Sequence, residues 1–180
     1  MAAMSRESSW RAWYSAARPR TLTATLAPLA LAAVMAIDHG VFDAPVFALA
    51  LAGALLLQVA TNLINEYADW RRGTDRYKQA GQGMTIKQGV LPAGQVRAGA
   101  LLSLGAGVLA GLLLLLREGP DLLASPLLWI GAGGVLVAIT YTAGPLPLSR
   151  LGLGELAAGI FIGPLLGLGA RCLQGGCLPR

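Results

Sequence analysis

Charge is what this chain most lacks. Of its 180 residues only 13% are Asp, Glu, Lys or Arg while 55% are hydrophobic, against roughly 25% charged residues in a water-soluble domain. So little charge cannot cover a folded chain in water. Cysteine occurs twice, as Cys172 and Cys177: too few for a zinc site and too near the end to staple a fold, so both are read as incidental. Cys177 stands in the prenylation position, but Pro179 and Arg180 fit the two final places of that signal poorly, and lipidation is discarded. The first 20 residues are polar and basic, with no apolar stretch ending in a cleavage site. No cleavable signal is therefore expected, and the first span is expected to stay as an anchor. The Walker pattern is absent, so the glycines make no nucleotide site. The net charge is +5, yet the basic residues are confined to segments between apolar runs and are not interleaved with aromatic platforms. Nucleic acid is therefore excluded as a partner.

What the chain has instead is apolar runs of about 18 to 20 residues, the length that crosses roughly 30 Å of hydrocarbon. They predict an all-α, polytopic transmembrane helix bundle with five spans, at about 21–37, 45–65, 99–116, 127–143 and 152–170. The lipid bilayer is its solvent. Residues 1–20 mix Trp10, Trp13 and Tyr14 with Arg6, Arg11, Arg18 and Arg20, a composition suited to the headgroup region. Pro19 marks the start of the membrane part. No internal repeat and no long disordered tail is evident. Residues 66–98 form a polar connection far longer than the others, and such loops are commonly functional. With the N-terminus inside, the inner segments hold eleven Lys and Arg, from Arg6 to Arg150, and the outer ones only Arg117, Arg171 and Arg180. The N-terminus and the long loop are thus expected on the cytoplasmic side of the cell (inner) membrane.

The chemistry gathers at the end of the second span. If its helix continues, Asn62, Asn65, Glu66 and Asp69 fall at offsets 0, 3, 4 and 7, within about one hundred degrees of arc. A carboxylate at membrane depth costs about 2.5 kcal/mol or more unless it meets protein, water or a cation. This face cannot look at lipid. Two carboxylates and two amide carbonyls, with no His or Cys, suit Mg²⁺. Gly73 lets the helix stop, and Asp75 lies just beyond as a further acid. Arg71, Arg72, Arg76 and Lys78 follow or flank, with Lys87 further on. An acidic metal cluster beside a basic segment is what a diphosphate requires, although a polar helix end with basic anchors is also ordinary topology. Arg71 and Arg72 are read as anchors in either case. Tyr141 offers a π face to a developing carbocation, or serves as an interfacial belt residue. Pro145 and Pro147 break the helix after it, and Glu155, just inside the last span, is expected to pair with a donor or face a cavity.

Four segments in order resemble the UbiA superfamily of membrane aromatic prenyltransferases, and within it the dihydroxynaphthoate branch of menaquinone biosynthesis. They are Arg18-Pro19-Arg20-Thr21-Leu22, the stretch from Asn62 to Asp75, Gly83-Met84-Thr85-Ile86-Lys87-Gln88-Gly89, and Tyr141-Thr142-Ala143-Gly144-Pro145 with Leu151-Gly152-Leu153-Gly154-Glu155. The resemblance implies a bundle of about nine helices, of which residues 21–170 are the N-terminal part, and transfer of a polyprenyl group from prenyl diphosphate to an aromatic acceptor. It implies a Mg²⁺ half-site formed or oriented by Asn62, Asn65, Glu66, Asp69 and Asp75. The catalytic set would be Asn65, Asp69, Lys87 and Tyr141. Asn62, Arg76, Lys87, Tyr141 and Glu155 would touch substrate. Glu66 stands where the family usually has Asp, and its longer arm is expected to change the metal geometry. The family's second Asp-rich motif is not found, and residues 171–180 read as a truncated or frame-shifted tail. Activity from this stretch alone is therefore doubtful. Alternatives are a hydroxybenzoate, haem or chlorophyll-type prenyltransferase, or a transporter or non-catalytic membrane subunit. Transport would call for inverted repeats with paired broken helices, which are not seen.

Overall fold

The computed structural model describes residues 6–77, 84–117, 122–144 and 147–175. Lys78, Gly81, Gly83, Pro145, Cys177 and Arg180 lie outside the described residues, as does the side chain of Arg76. The described chain is helical, with no strand among the described residues. Its helices are α1 (Arg6–Ala17), α2 (Pro19–Asp38), α3 (Ala44–Arg72), α4 (Ala93–Leu115), α5 (Pro126–Thr140), α6 (Gly154–Ile160) and α7 (Leu166–Gly175). A π-helical segment, Phe161–Leu165, joins α6 to α7. Four stretches are long and apolar enough to cross a membrane: α2, α3, α4 and the composite Gly154–Gly175. The fifth expected span is α5, an apolar helix of 15 residues. Leu31, Val34, Ile37, Leu102, Leu109 and Leu136 point outward and exposed; hydrocarbon accepts them without cost. The fold is that of a polytopic membrane bundle.

α3 is the longest helix, and its ends explain its length. Asp43 caps the N-terminus, its Oδ1 accepting from Val46 N at 3.0 Å, with Pro45 in the first turn where its missing N–H costs nothing. Gly73 closes the other end at φ 67, its N–H reaching the carbonyls of Asp69 and Trp70, a conformation that suits glycine. The 29 residues rise about 44 Å, some 9 residues more than a span needs. That surplus is the polar stretch from about Asn65 to Arg72. α3 packs most extensively on α4. Close approach is made by small residues: a Cβ on Gly107 would sit 2.8 Å from Leu57 Cγ, and one on Gly53 3.1 Å from Ala110 Cβ. Such contacts replace the hydrophobic effect, which lipid does not supply between helices.

α1 does more than rest in the headgroups. Ala12 and Ala16 are buried with Leu63, Ile86, Leu91, Val96 and Ala100 in one cluster, and Trp13 packs against it. Trp10 and Tyr14, on the opposite face, are exposed. At the far end of the bundle α7 continues past residue 170, because Gln174 makes a reciprocal tie: its Oε1 accepts from Asp43 N at 2.6 Å and its Nε2 donates to Asp43 O at 3.1 Å. Cys172 is disulfide-bonded, which departs from the incidental reading.

Candidate active site

Alternating spans bring five separated pieces of chain to one end of the bundle: the α1–α2 junction, the end of α3, the turn before α4, the end of α5 and the start of α6. A cavity of about 370 Å³ is lined from these pieces except the turn before α4, and its lining includes Arg18, Thr21, Asn62, Asn65, Tyr141 and Phe161. A second, apolar cavity of about 570 Å³ among α3, α4, α5 and α7 shares Ala54, Leu57 and Leu166 with the first. The first cavity is mainly apolar as well, its polar groups being those of Arg18, Thr21, Asn62 and Asn65 with Thr25, Gln58, Thr61 and Tyr141, and the two cavities share a wall.

Each polar side chain is held by a distinct element. Asn62 is 4% exposed, and its Nδ2 donates to Ala17 O at 2.7 Å and Thr21 Oγ1 at 2.8 Å, fastening α3 to the α1–α2 junction. Asn65 Oδ1 accepts from Arg18 Nη2 at 3.3 Å. Asp69 Oδ1 accepts from Thr74 Oγ1 at 3.1 Å. Glu66 turns the other way, toward the turn before α4: its Oε1 accepts from Thr85 Oγ1 at 2.6 Å and from Ile86 N at 3.0 Å. Lys87, exposed at the tip of that turn, donates from Nζ to Asp75 O at 3.2 Å. Asp75 and Arg76 belong to a short 3-10 helix, Thr74–Tyr77, directly after α3. Tyr141 follows α5, lines the cavity and packs its ring beside Gly154, where a Cβ would come within 3.1 Å of it. Glu155 lies in the first turn of α6, exposed and outside the cavity lining.

Three contributors escaped the sequence reading. Arg18 is the only non-glycine with positive φ among the described residues, at φ 52, a conformation that is uncommon and strained outside glycine. It turns the chain from α1 into α2 and aims the guanidinium into the cavity. Burial pushes this group down from its ordinary range, opposed by the carboxylates of Glu66 and Asp69. Its signals in the sequence were its place before Pro19 and in the segment Arg18-Pro19-Arg20-Thr21-Leu22, which pointed to the family but not to a role for its side chain. Arg72, read as an anchor, donates from Nη1 to Thr142 O and from Nη2 to Gly144 O at 2.6 Å. It thereby caps the end of α5 from α3 and holds the Tyr141 segment. Phe161 comes from the π-helical kink, at which Gly163 departs from helical geometry beside Pro164. Its ring fills the space a side chain at Gly133 would take.

The donor chemistry suits a hard cation. Among the described residues no three of His, Cys, Asp and Glu converge on a common point, so a closed protein cage is not built. One or two carboxylates with amide carbonyls, completed by water and phosphate, is the way proteins hold Mg²⁺.

Fold and site define a class: a polytopic membrane protein with a mainly apolar cavity that Arg18, Asn62, Asn65 and Tyr141 help to line, beside an acidic helix end. The chain belongs to the UbiA prenyltransferase family, whose sequence pattern matches residues 26–179, and the resemblance carried by the four segments is borne out. It is 35% identical over 162 residues to 1,4-dihydroxy-2-naphthoate octaprenyltransferase of Bacillus subtilis, which covers 88% of this chain and 49% of that one. The protein of the same name from Mycobacterium tuberculosis is 36% identical over 168 residues, 92% of this chain and 55% of its own. UbiA prenyltransferase domain-containing protein 1 of Homo sapiens is 31% identical over 175 residues, 94% and 50% of the two chains. The chain spans about half the length of these curated relatives. No solved structure matches it.

Proposed function

We propose that the protein carrying this chain transfers a polyprenyl group from prenyl diphosphate to 1,4-dihydroxy-2-naphthoate in menaquinone biosynthesis, on the cytoplasmic side of the cell membrane. The single observation that carries this reading is the mainly apolar cavity that joins Asn62 and Asn65 of the acidic helix end to Arg18 and Tyr141, with a second apolar cavity behind a shared wall. A diphosphate headgroup fits the polar end and an isoprenoid tail the apolar one. The names of the relatives supply the acceptor. The excess of Lys and Arg in the segments at this end supports a cytoplasmic site.

Asn65, Asp69 and Asp75 would offer oxygens to Mg²⁺, with Asn62 fastening the helix end that carries them and Glu66 holding the turn before α4 against it. Bound Mg²⁺ would neutralise charge on the diphosphate. Lys87, exposed on a flexible arm, and Arg76 bond phosphate oxygens as the allylic carbon–oxygen bond breaks and both electrons leave with diphosphate. Tyr141 sets its ring beside the resulting allylic cation, and Arg18 closes the polar end. The ring carbon bearing the carboxylate gives its electron pair to the allylic carbon. Carbon dioxide then leaves, and its bonding electrons restore the ring. Glu155, exposed on the element next to Tyr141 and outside the cavity lining, takes no part in the proposed step.

The test uses purified protein carrying this chain, extended through the second acidic motif, in lipid with Mg²⁺ and prenyl diphosphate. Release of carbon dioxide and a prenylated product from dihydroxynaphthoate, with hydroxybenzoate left untouched, is expected. Prenylation of hydroxybenzoate in preference would overturn the acceptor assignment.

A further inference from the structure

Glu66 is set apart from the other acids of the α3 end by where its carboxylate goes. On a helix turning about 100° per residue, Glu66 lies at one edge of the polar arc and Asn65 at the other. Asn65 reaches the cavity; Glu66 is 2% exposed and meets Thr85, 3% exposed, and Ile86, 8% exposed. Its bonds to Thr85 Oγ1 at 2.6 Å and Ile86 N at 3.0 Å are both sealed from water. The residues they hold form a tight turn. Gln88 N bonds Met84 O, Gly89 N bonds Ile86 O, and Val90 N and Leu91 N both reach Thr85 O. Gly89 closes it at φ 67. Lys87 is the exposed tip of that turn. Glu66 Oε2 is buried with no partner among the described residues.

We propose that Glu66 is a positioning residue whose Oε1 tethers the Met84–Gln88 turn to the end of α3 and so holds Lys87 beside the diphosphate. The tether stands on geometry alone; its catalytic consequence rests on the reading of Lys87 as a phosphate ligand. Arm length is the critical property. With bonds of 2.6 and 3.0 Å there is no slack, and Asp, shorter by one carbon–carbon bond of about 1.5 Å, withdraws the oxygen from both donors. Gln keeps the reach and one carbonyl oxygen. A metal ligand would rank the two variants the opposite way, because Asp keeps the negative charge and Gln loses it.

The experiment compares Glu66→Asp, Glu66→Gln and Thr85→Val, the last removing one donor while leaving Glu66 intact. Each purified protein is placed in lipid nanodiscs without substrate. Hydrogen exchange at the Ile86 amide reports the tether, and binding of Mn²⁺, followed by its paramagnetic resonance signal, reports the metal. Exchange about tenfold faster in Glu66→Asp, several-fold faster in Thr85→Val and within about threefold of wild type in Glu66→Gln is expected, with Mn²⁺ affinity unchanged throughout. In the form that turns over, Glu66→Asp then raises KM for prenyl diphosphate and leaves KM for the acceptor alone, and Glu66→Gln rescues most of that loss. Wild-type Ile86 protection in Glu66→Asp, or a tenfold loss of Mn²⁺ affinity in Glu66→Gln, overturns the proposal. Faster exchange with an unchanged diphosphate constant supports the tether and removes Lys87 from the phosphate site, so the two readings fail separately.

Discussion

Removing Arg72 should loosen the end of α5 without disturbing the rest of the bundle. Its guanidinium donates to Thr142 O and Gly144 O across the gap between α3 and α5. A hydrogen bond to a charged group contributes roughly 1.5–3 kcal/mol when shielded. Arg72 is half-buried and Gly144 exposed, so water replaces much of what is lost and about 1–2 kcal/mol for the pair is the reasonable net. At 1.36 kcal/mol per factor of ten, Arg72→Ala raises local opening about 5- to 30-fold. The amides to watch are Tyr141 N, bonded to Val137 O, and Ala143 N, bonded to Ile139 O. Hydrogen exchange of these two should accelerate by that factor, while amides in the middle of α4 stay as they were. Arg72→Lys should recover less than half of the effect, because an ammonium lacks the planar fork that spans two carbonyls. Unchanged exchange at Tyr141 in the alanine variant, or full recovery by lysine, would refute the clamp.

Asp69→Asn, in the form that turns over, should lower turnover by orders of magnitude yet insert normally, since an amide is easier than a carboxylate to place at membrane depth; wild-type turnover at limiting Mg²⁺ would sink the metal assignment. Lys87→Ala should raise KM for prenyl diphosphate more than for the aromatic acceptor, and equal changes in both would return Lys87 to the role of a solvated loop residue. Gly107→Leu should weaken α3–α4 packing by about 1–3 kcal/mol, because even a Cβ there lies 2.8 Å from Leu57 Cγ; a thermal midpoint equal to wild type in detergent would contradict the close approach.

The apolar runs alone settled that this is a membrane helix bundle, because their length matches the hydrocarbon and a spanning backbone must satisfy its own hydrogen bonds. Span limits were legible to within two residues for α2 and for the end of α4, where apolar side chains give way to polar ones, but α4 starts six residues before its expected beginning, with Gln95 and Arg97 inside the helix. α3 ran seven residues past its expected end, since Gly73 and not the lipid boundary stops it. The acidic stretch was equally legible: offsets of 0, 3, 4 and 7 put four oxygen-bearing side chains on one face whatever surrounds the helix.

How that face is divided was decided only in three dimensions. Periodicity places Asn65 and Glu66 on a common arc, but which neighbour each edge meets depends on how α3 is rotated against α2 and α4. Against α4 that rotation is fixed at Gly53 and Gly107, where bare backbone lets Ala110 and Leu57 approach, while Gly99 of α4 admits Trp13 of α1. Arg18 and Arg72 look alike in sequence, as basic residues at helix ends. One enters the cavity because its backbone is left-handed, and the other caps a helix about seventy residues away. A local pattern states which groups share a face, since helix geometry depends on the chain alone; which partner a face receives is a long-range packing outcome, and no spacing in the chain encodes it.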